Sequence, residues 1–210
     1  MHVVCISDTH TRHARLTVPP CDLLIHAGDL CRKGSDAELD AFVEWFAAQP
    51  ATDKVFIAGN EDACCERNPE RVHDVAAAAG VTYLDEEEIV IQGLRIYGSP
   101  VTPKFFNMAF NRERGPEIRR HWDAIPEGID ILITHGPPQG ILDRIVLGRH
   151  VGCADLLERV HAVRPRLHVF GHIHEARGKA TLPGLRTQFV NAANARLLPI
   201  AQRGPMELHV

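Results

Sequence analysis

Short apolar runs that stop abruptly on glycine, aspartate, asparagine or histidine recur five times along this chain. Val3–Ile6 leads to Ser7-Asp8-Thr9-His10, Leu23–Ile25 to His26-Ala27-Gly28-Asp29, and Lys54–Ala58 to Gly59-Asn60-Glu61-Asp62. Ile131–Ile133 leads to Thr134-His135-Gly136, and Leu167–Phe170 to Gly171-His172-Ile173-His174. Runs this short, rich in Val and Ile and closed by turn formers, predict buried strands. Three helices are predicted between them. Ser35 to Gln49 sets Leu39, Phe42, Val43 and Phe46 on one face, with Ser35 and Glu38 placed for a capping box. Asn68-Pro69 opens a second helix carrying Val72, Val75, Ala76 and Ala79, stopped by Gly80. The third, Gly152 to Val163, turns Leu156, Leu157, Val160 and Val163 inward.

Val81 to Ser99 reads as short strands, and Arg186–Asn191 and Met206–Val210 as late ones. Strands alternating with helices, then a strand-rich stretch, predict an α/β protein with two packed sheets flanked by helices. No repeat or linker interrupts the pattern, so a single domain over residues 1–210 is expected. Pro100 to Gly115 and Gly136 to Gly152 are the longest irregular stretches and the expected loops around a site.

Composition narrows the function. The 210 residues are 45% hydrophobic and 24% charged, with a net charge of −4. That balance offers no extended nucleic-acid surface, although a small nucleotide stays open as a ligand. No apolar run is long enough to span a bilayer, and the start lacks the basic leader of a signal peptide, so a cytoplasmic location and no membrane partner are expected. Oligomeric state is not readable. Six cysteines without a C-x-x-C pair read as buried or incidental thiols. Histidine is the unusual count, at 13, and several of these residues stand beside Asp, Asn or Gly at the ends of the apolar runs.

In open α/β sheets, ligands gather beyond the carboxyl ends of strands, where all five polar clusters fall. Singly the clusters say little, because an Asp after Gly often caps a turn. Gly-His-x-His says more, since alternate residues of an extended segment point apart and a tight turn is needed to aim His172 and His174 together. Jointly, the order Asp-x-His, Gly-Asp, Gly-Asn-x-Asp, Thr-His-Gly, Gly-His-x-His resembles the calcineurin-like metallophosphoesterase superfamily, and particularly its metallophosphoesterase-domain-containing branch. The resemblance runs from Val4-Cys5-Ile6-Ser7-Asp8-Thr9-His10 to Val190-Asn191-Ala192. Ile125-Pro126-Glu127-Gly128-Ile129-Asp130-Ile131-Leu132, continued by Thr134-His135-Gly136-Pro137-Pro138, is its most branch-specific stretch.

This resemblance implies a four-layer α/β/β/α sandwich, two mixed sheets flanked by helices, around a dinuclear metal centre. Asp8, His10 and His174 would hold one divalent ion, Asn60, His135 and His172 the other, and Asp29 would bridge them. Mixed carboxylate, imidazole and amide donors suit Mn²⁺ first, with Fe or Zn²⁺ as alternatives. A hydroxide between the ions would be the nucleophile toward a small phosphoester, and Asn60 would also contact substrate. One position departs from the superfamily: where a histidine usually follows the metal-binding Asn, this chain has Glu61, followed by Asp62. Two divalent ions, Asp8, Asp29 and a hydroxide leave about one positive charge, which an ionised Glu61 cancels. The expected result is a phosphodiesterase biased against dianionic monoesters, with 2′,3′-cyclic nucleotides among its candidate substrates. A broad monophosphatase and a catalytically weakened protein-binding scaffold are the alternatives.

Glu61 and Asp62 are therefore the candidate catalytic residues, Asp62 acting through hydrogen bonds to a ligand or to Glu61. Arg114 is the candidate phosphate-gripping residue in the Pro100–Gly115 loop. His26 is expected to be packed and hydrogen-bonded, and His13 and His150 solvent-exposed. Asn191 and Asn194 are expected to satisfy backbone groups at a strand end.

Overall fold

The computed structural model describes residues 1–195 and 202–210. Its first half runs β1 (His2–Ile6), β2 (Cys21–Ala27), α1 (Asp36–Ala47), β3 (Ala51–Ile57), α2 (Ala63–Arg67), α3 (Pro69–Ala78), β4 (Thr82–Tyr83), β5 (Glu87–Ile91) and β6 (Leu94–Ser99). The second half adds β7 (Thr102–Pro103), β8 (Asn111–Arg112), α4 (Pro116–Asp123), β9 (Ile131–Thr134), α5 (Ala154–Val163), β10 (Leu167–Phe170), β11 (Gly178–Thr181), β12 (Gln188–Asn191) and β13 (Met206–His209). One sheet has the order β13-β1-β2-β3-β4, a second β11-β12-β10-β9-β6-β5, and β7 and β8 form a separate two-stranded pair. Within each sheet the inner strands pair in parallel, while β13, β11 and β5 are antiparallel to their neighbours.

The two-residue period of a strand sorts its side chains into separate layers. Val3 and Cys5 of β1 join Ile96, Ile131, Ile133, Val169 and Val190 in the apolar layer between the sheets. Val4 and Ile6, pointing the other way, pack with Phe42 and Phe46 of α1 and Val72 of α3. On the far side, Leu132, Phe170 and Phe189 meet Ile118 and Trp122 of α4 and Leu156 and Val160 of α5. The result is the expected α/β/β/α sandwich. No described helix is long and apolar enough to cross a membrane.

The helix signals explain the boundaries of α1 and α3. Ser35 Oγ accepts from Glu38 N at 3.3 Å, and Glu38 returns a carboxylate oxygen to Ser35 N at 3.4 Å. Asn68 caps α3 in front of Pro69, and Gly80 takes the left-handed φ of +68° just beyond its end. Helices α2 and α4 and strands β7, β8 and β11 went unpredicted: β7 and β8 fall in the expected Pro100–Gly115 loop, and α4 buries only Ile118 and Trp122, too few positions to show a period. Leu157 and Val75, expected inward, are only partly buried. His13 corrects its expectation outright, being buried between the rings of Phe42 and Trp45.

His168 in β10 is a further buried imidazole. Its Nε2 meets Thr134 Oγ1 at 2.9 Å, its Nδ1 has no partner among the described residues, and Phe170 and Phe189 flank the ring. Burial pushes its pKa down from 6.5 to about 3. Between those values the unfolded chain binds a proton that the folded one refuses, so stability is intact above pH 6.5 and drains as pH falls. The contribution of this residue is up to ~1.4 kcal/mol per pH unit. In urea titrations between pH 7 and pH 5, His168→Leu is expected to flatten the loss of stability by about one proton; an unchanged slope would show that His168 is not the group responsible.

Candidate metal centre

Four of the candidate ligands occupy a backbone region that side chains ordinarily avoid. Asp8, His10, Asp29 and His172 have φ of +54°, +43°, +56° and +66°. Each such conformation costs ~1–3 kcal/mol and persists only where its surroundings impose it. The surroundings here are the turns that end β1, β2 and β10. Asp8 N donates to Gly28 O at 2.9 Å and His10 N to Asp29 O at 3.1 Å, zipping the first two turns together. At His172 the left-handed turn bends the Gly-His-x-His segment so that His172 and His174 both face the site.

Side chains converge from both sheets. His174 Nε2 lies 3.2 Å from Asp8 Oδ1 and 3.3 Å from His10 Nε2. Beside this group, His135 Nε2 lies 3.0 Å from Asn60 Oδ1 and 3.4 Å from Asp29 Oδ1, with the His172 ring 5.1 Å from that of His135. Donor atoms of Asp8, His10 and His174 fall within 4.8 Å of one another, as do those of Asp29, His135 and His172, and those of His10, Asp29 and Glu61. The structure thus brings together all seven side chains expected as ligands.

Two glycines permit this approach. A Cβ on Gly171 would collide with Asp8 Oδ2 and Ser7 Oγ, and one on Gly59 with Asp29 and His135. The far nitrogens of the imidazoles are also engaged. His135 Nδ1 meets Ala27 O at 2.9 Å, while His10 Nδ1 meets Glu61 Oε2 at 3.0 Å and Cys31 O at 3.3 Å. A proton on Nδ1 serves those acceptors and leaves Nε2, with its lone pair, turned into the site.

Electrostatics favour cations here. Burial opposes ionisation of Asp8, yet the hydrogen bond from His174 and the nearby imidazoles hold its carboxyl well below the ordinary range. Burial likewise opposes protonation of His135 and His10, but Asp29 lifts the first to about 10, and the hydrogen bond to Glu61 with the fields of Asp29 and Asp8 lifts the second to about 9. His172, desolvated and close to His135, is pushed down to about 4. A negative potential that draws protons onto imidazoles also draws divalent ions, which replace those protons on binding. Imidazole nitrogens 3.3 Å apart need a cation or a proton between them. The donor set fits two metal ions.

The remaining predicted residues fall into place or are corrected. Asp62 is fully buried and accepts from the backbone N–H groups of Gly59, Cys31 and Leu30 at 2.7, 2.8 and 3.3 Å. Burial and neighbouring Asp29 push its pKa up to about 7. It fastens two ligand-bearing turns to each other, so its influence is positional and it offers no catalytic contact. Arg114 is corrected too: its guanidinium donates to Val151 O and Gly152 O at 2.7 and 2.8 Å, clasping a loop instead of facing a phosphate. His26 is packed, with Thr9 Oγ1 3.0 Å from Nε2 and Gly28 N donating to Nδ1 at 3.2 Å. Half-exposed His150 pairs with Asp143. Asn194 Oδ1 accepts from Ser7 N at 3.0 Å, and Asn191 Nδ2 donates to Ile173 O at 2.9 Å, so each braces backbone next to a ligand. Sequence reasoning missed the pairing of Glu61 with His10, and Met108 and Ala109, which meet Asn60 at 3.3 and 3.1 Å. None of these contacts leaves a signal in local sequence.

Imidazoles, carboxylates and one amide converging at the carboxyl ends of two facing sheets define a metallophosphoesterase-type site. The chain belongs to the calcineurin-like phosphoesterase family, whose model matches residues 1–176. Human metallophosphoesterase domain-containing protein 1 is 40% identical, covering 90% of this chain and 65% of that protein, which places the chain in the same branch. The chain thus spans 65% of that relative's length. A Caenorhabditis elegans UPF0046 protein is 35% identical over 100% of this chain and 75% of its own. A Synechococcus protein named probable cyclic nucleotide phosphodiesterase is 29% identical over 78% of this chain and 63% of that one. Among solved structures, a Thermus thermophilus protein superposes with a TM-score of 0.60 at 14% identity, covering 90% of this chain and 88% of the other, a likeness of fold. The family is that of calcineurin-like phosphoesterases, and the grouped imidazole and carboxylate donors here are those of a metal-binding site.

Gly171→Ala should push Asp8 out of place without unfolding the protein. A loss of about 10- to 100-fold in Mn²⁺ affinity is expected by equilibrium dialysis, with an unchanged far-UV circular dichroism spectrum. Full affinity in the variant would show that Asp8 takes no part in holding metal.

Proposed function

We propose that this chain is a metal-dependent phosphodiesterase in which Asp8, His10 and His174 hold one cation, Asn60, His135 and His172 hold the other, and Asp29 is shared. Mn²⁺ suits this mixture of hard and borderline donors, with Fe and Zn²⁺ next. When bound, the cations supply Lewis acidity, lowering the pKa of water and neutralising phosphoryl oxygens. The protein's part is to hold the donors. Ala27 O fixes His135, Glu61 and Cys31 O fix His10, and Asp62 ties together the turns that carry Asp29 and Asn60.

One observation carries the diesterase reading: the Glu61 carboxylate stands 3.0 Å from His10 Nδ1 and within ligand reach of Asp29. It lines a cleft of about 330 Å³ with His10, His174, Arg12 and Arg32. Asp8, Asp29 and Glu61 together set three carboxylates against two divalent cations. Before the hydroxide is counted, one positive charge remains on the cations and carboxylates, which matches a phosphodiester monoanion; a neutral histidine at position 61 would leave two, matching a monoester dianion. A carboxylate is also a poor general acid at neutral pH, which favours esters whose leaving groups need little protonation. Strained 2′,3′-cyclic nucleotides are further candidates, because opening the ring relieves strain, and the name of the Synechococcus relative supports a cyclic substrate.

The test compares kcat/KM for bis-p-nitrophenyl phosphate and p-nitrophenyl phosphate in the Mn²⁺-loaded protein. The wild type should prefer the diester. Glu61→His should move the ratio toward the monoester by about tenfold or more, since one charge at contact distance is worth ~1–4 kcal/mol. A wild-type preference for the monoester would defeat the reading.

A further inference from the structure

Beside His172 the chain displays two large aromatic side chains to solvent. Phe105 is 55% exposed and Phe106 77%, their ring centroids 4.4 Å apart and steeply inclined. Apolar rings side by side in water are unfavourable unless something covers them. The segment that carries them is fastened down. Asn111 Nδ2 donates to the carbonyls of both Phe105 and Phe106, at 3.0 and 3.2 Å, and Ala109 N donates to Asn60 O at 3.1 Å. Phe106 sits at a left-handed φ of +53°, a conformation that a bulky residue adopts only under constraint. The fold thus holds the pair outward at a fixed place.

That place adjoins the candidate metal centre. The Phe105 ring lies 6.4 Å from the His172 imidazole at an interplanar angle of 86°. Both ring neighbours, His172 and Phe106, meet Phe105 at a steep angle, so neither is a parallel stack. We propose that Phe105, backed by Phe106, is a stacking platform for the base of a nucleotide whose phosphate is held at the metal centre. The sugar of a nucleotide separates a charged phosphate from a flat, weakly hydrated ring, and here a site fitted to hold cations and an apolar ring stand in the same succession. Stacking uses the π-face that every base has, so this contact selects nucleotides as a class without choosing among bases. The inference rests on phosphate binding at the metal centre and deepens the reading of the substrate given above.

The experiment is isothermal titration of the full chain, loaded with Mn²⁺, with the methyl esters of inosine 5′-monophosphate and of ribose 5-phosphate, both monoanionic diesters. These ligands share sugar and phosphate and differ in the base. The wild type should bind the nucleotide about 5- to 150-fold more tightly, the range found for one stacked base. Phe105→Ala should abolish that advantage and leave the affinity for the methyl ester of ribose 5-phosphate unchanged, while Phe105→Tyr should keep it. Equal affinity of the wild type for both ligands, equal weakening of both by Phe105→Ala, or no binding of the nucleotide would each overturn the proposal. A nucleotide advantage that depends on Phe105, in a protein that prefers monoesters, would uphold the platform and strike only the diesterase reading.

Discussion

Burying two carboxylates, Asp8 and Asp29, is the constraint around which this molecule is arranged. Asp8 is fully out of solvent and Asp29 is 3% exposed. A buried charge is tolerable only where it is paired and hydrogen-bonded. His172 N and the His174 imidazole serve Asp8, and Glu61 N, 2.8 Å from Oδ1, serves Asp29 alongside His135. These donors come from segments far apart in the chain, so meeting the requirement of two side chains draws together the ends of β1, β2, β3, β9 and β10. The left-handed turns and the clash-free glycines are local consequences of the same demand.

The two sheets are also tied to each other at this end. Ser7, just past β1, bridges in parallel to Ala193, just past β12. Asn194 N donates to Ser7 O at 2.8 Å, and Asn194 Oδ1 takes Ser7 N in return. Asp8 follows Ser7 directly. A shift of one sheet against the other would therefore move Asp8 relative to His172 and His174, which hang from the second sheet. The interior between the sheets is aliphatic packing, which is non-directional and tolerates small adjustments far better than a hydrogen-bonded seam. Gln92 to Asp53 and Lys179 to the Glu207 carbonyl add hydrogen bonds between the sheets at their rims, while the Ser7–Asn194 seam sets their registration beside Asp8.

Much of this was legible in sequence because the signals are local. An apolar run followed by a turn former marks a strand end, and the functional side chains sit at those ends. Helix α1 announced itself through Ser35 and Glu38, and α3 through Asn68 and Pro69. Legibility failed where the partner is distant or is backbone. Arg114 reads as a phosphate ligand only while its two carbonyl acceptors are unseen. His13 lies in a polar stretch, Thr11-Arg12-His13-Ala14-Arg15, yet is covered by Phe42 and Trp45 from a helix that sequence does not place over it. The short helix α4 shows too little of its period to be distinguished from a loop. At Glu61 the departure was readable, but the contact with His10 was not, because nothing in either local sequence encodes the other.

That contact links two properties of the centre that are usually considered apart. As an acceptor for His10 Nδ1, Glu61 helps to set which imidazole nitrogen faces inward; as a carboxylate it lowers the charge of the site. A neutral side chain of similar reach would separate the roles, keeping an acceptor oxygen while removing the charge. The Cys31 carbonyl, 3.3 Å from the same nitrogen, provides partial redundancy for the first role. Among the described residues no second carboxylate lines the cleft to provide it for the charge, and Asp62 is enclosed by backbone donors. On the diesterase reading proposed above, electrostatic selection depends on Glu61 more heavily than the orientation of His10 does, and a change there should alter which phosphoester is accepted before it alters whether metal is held.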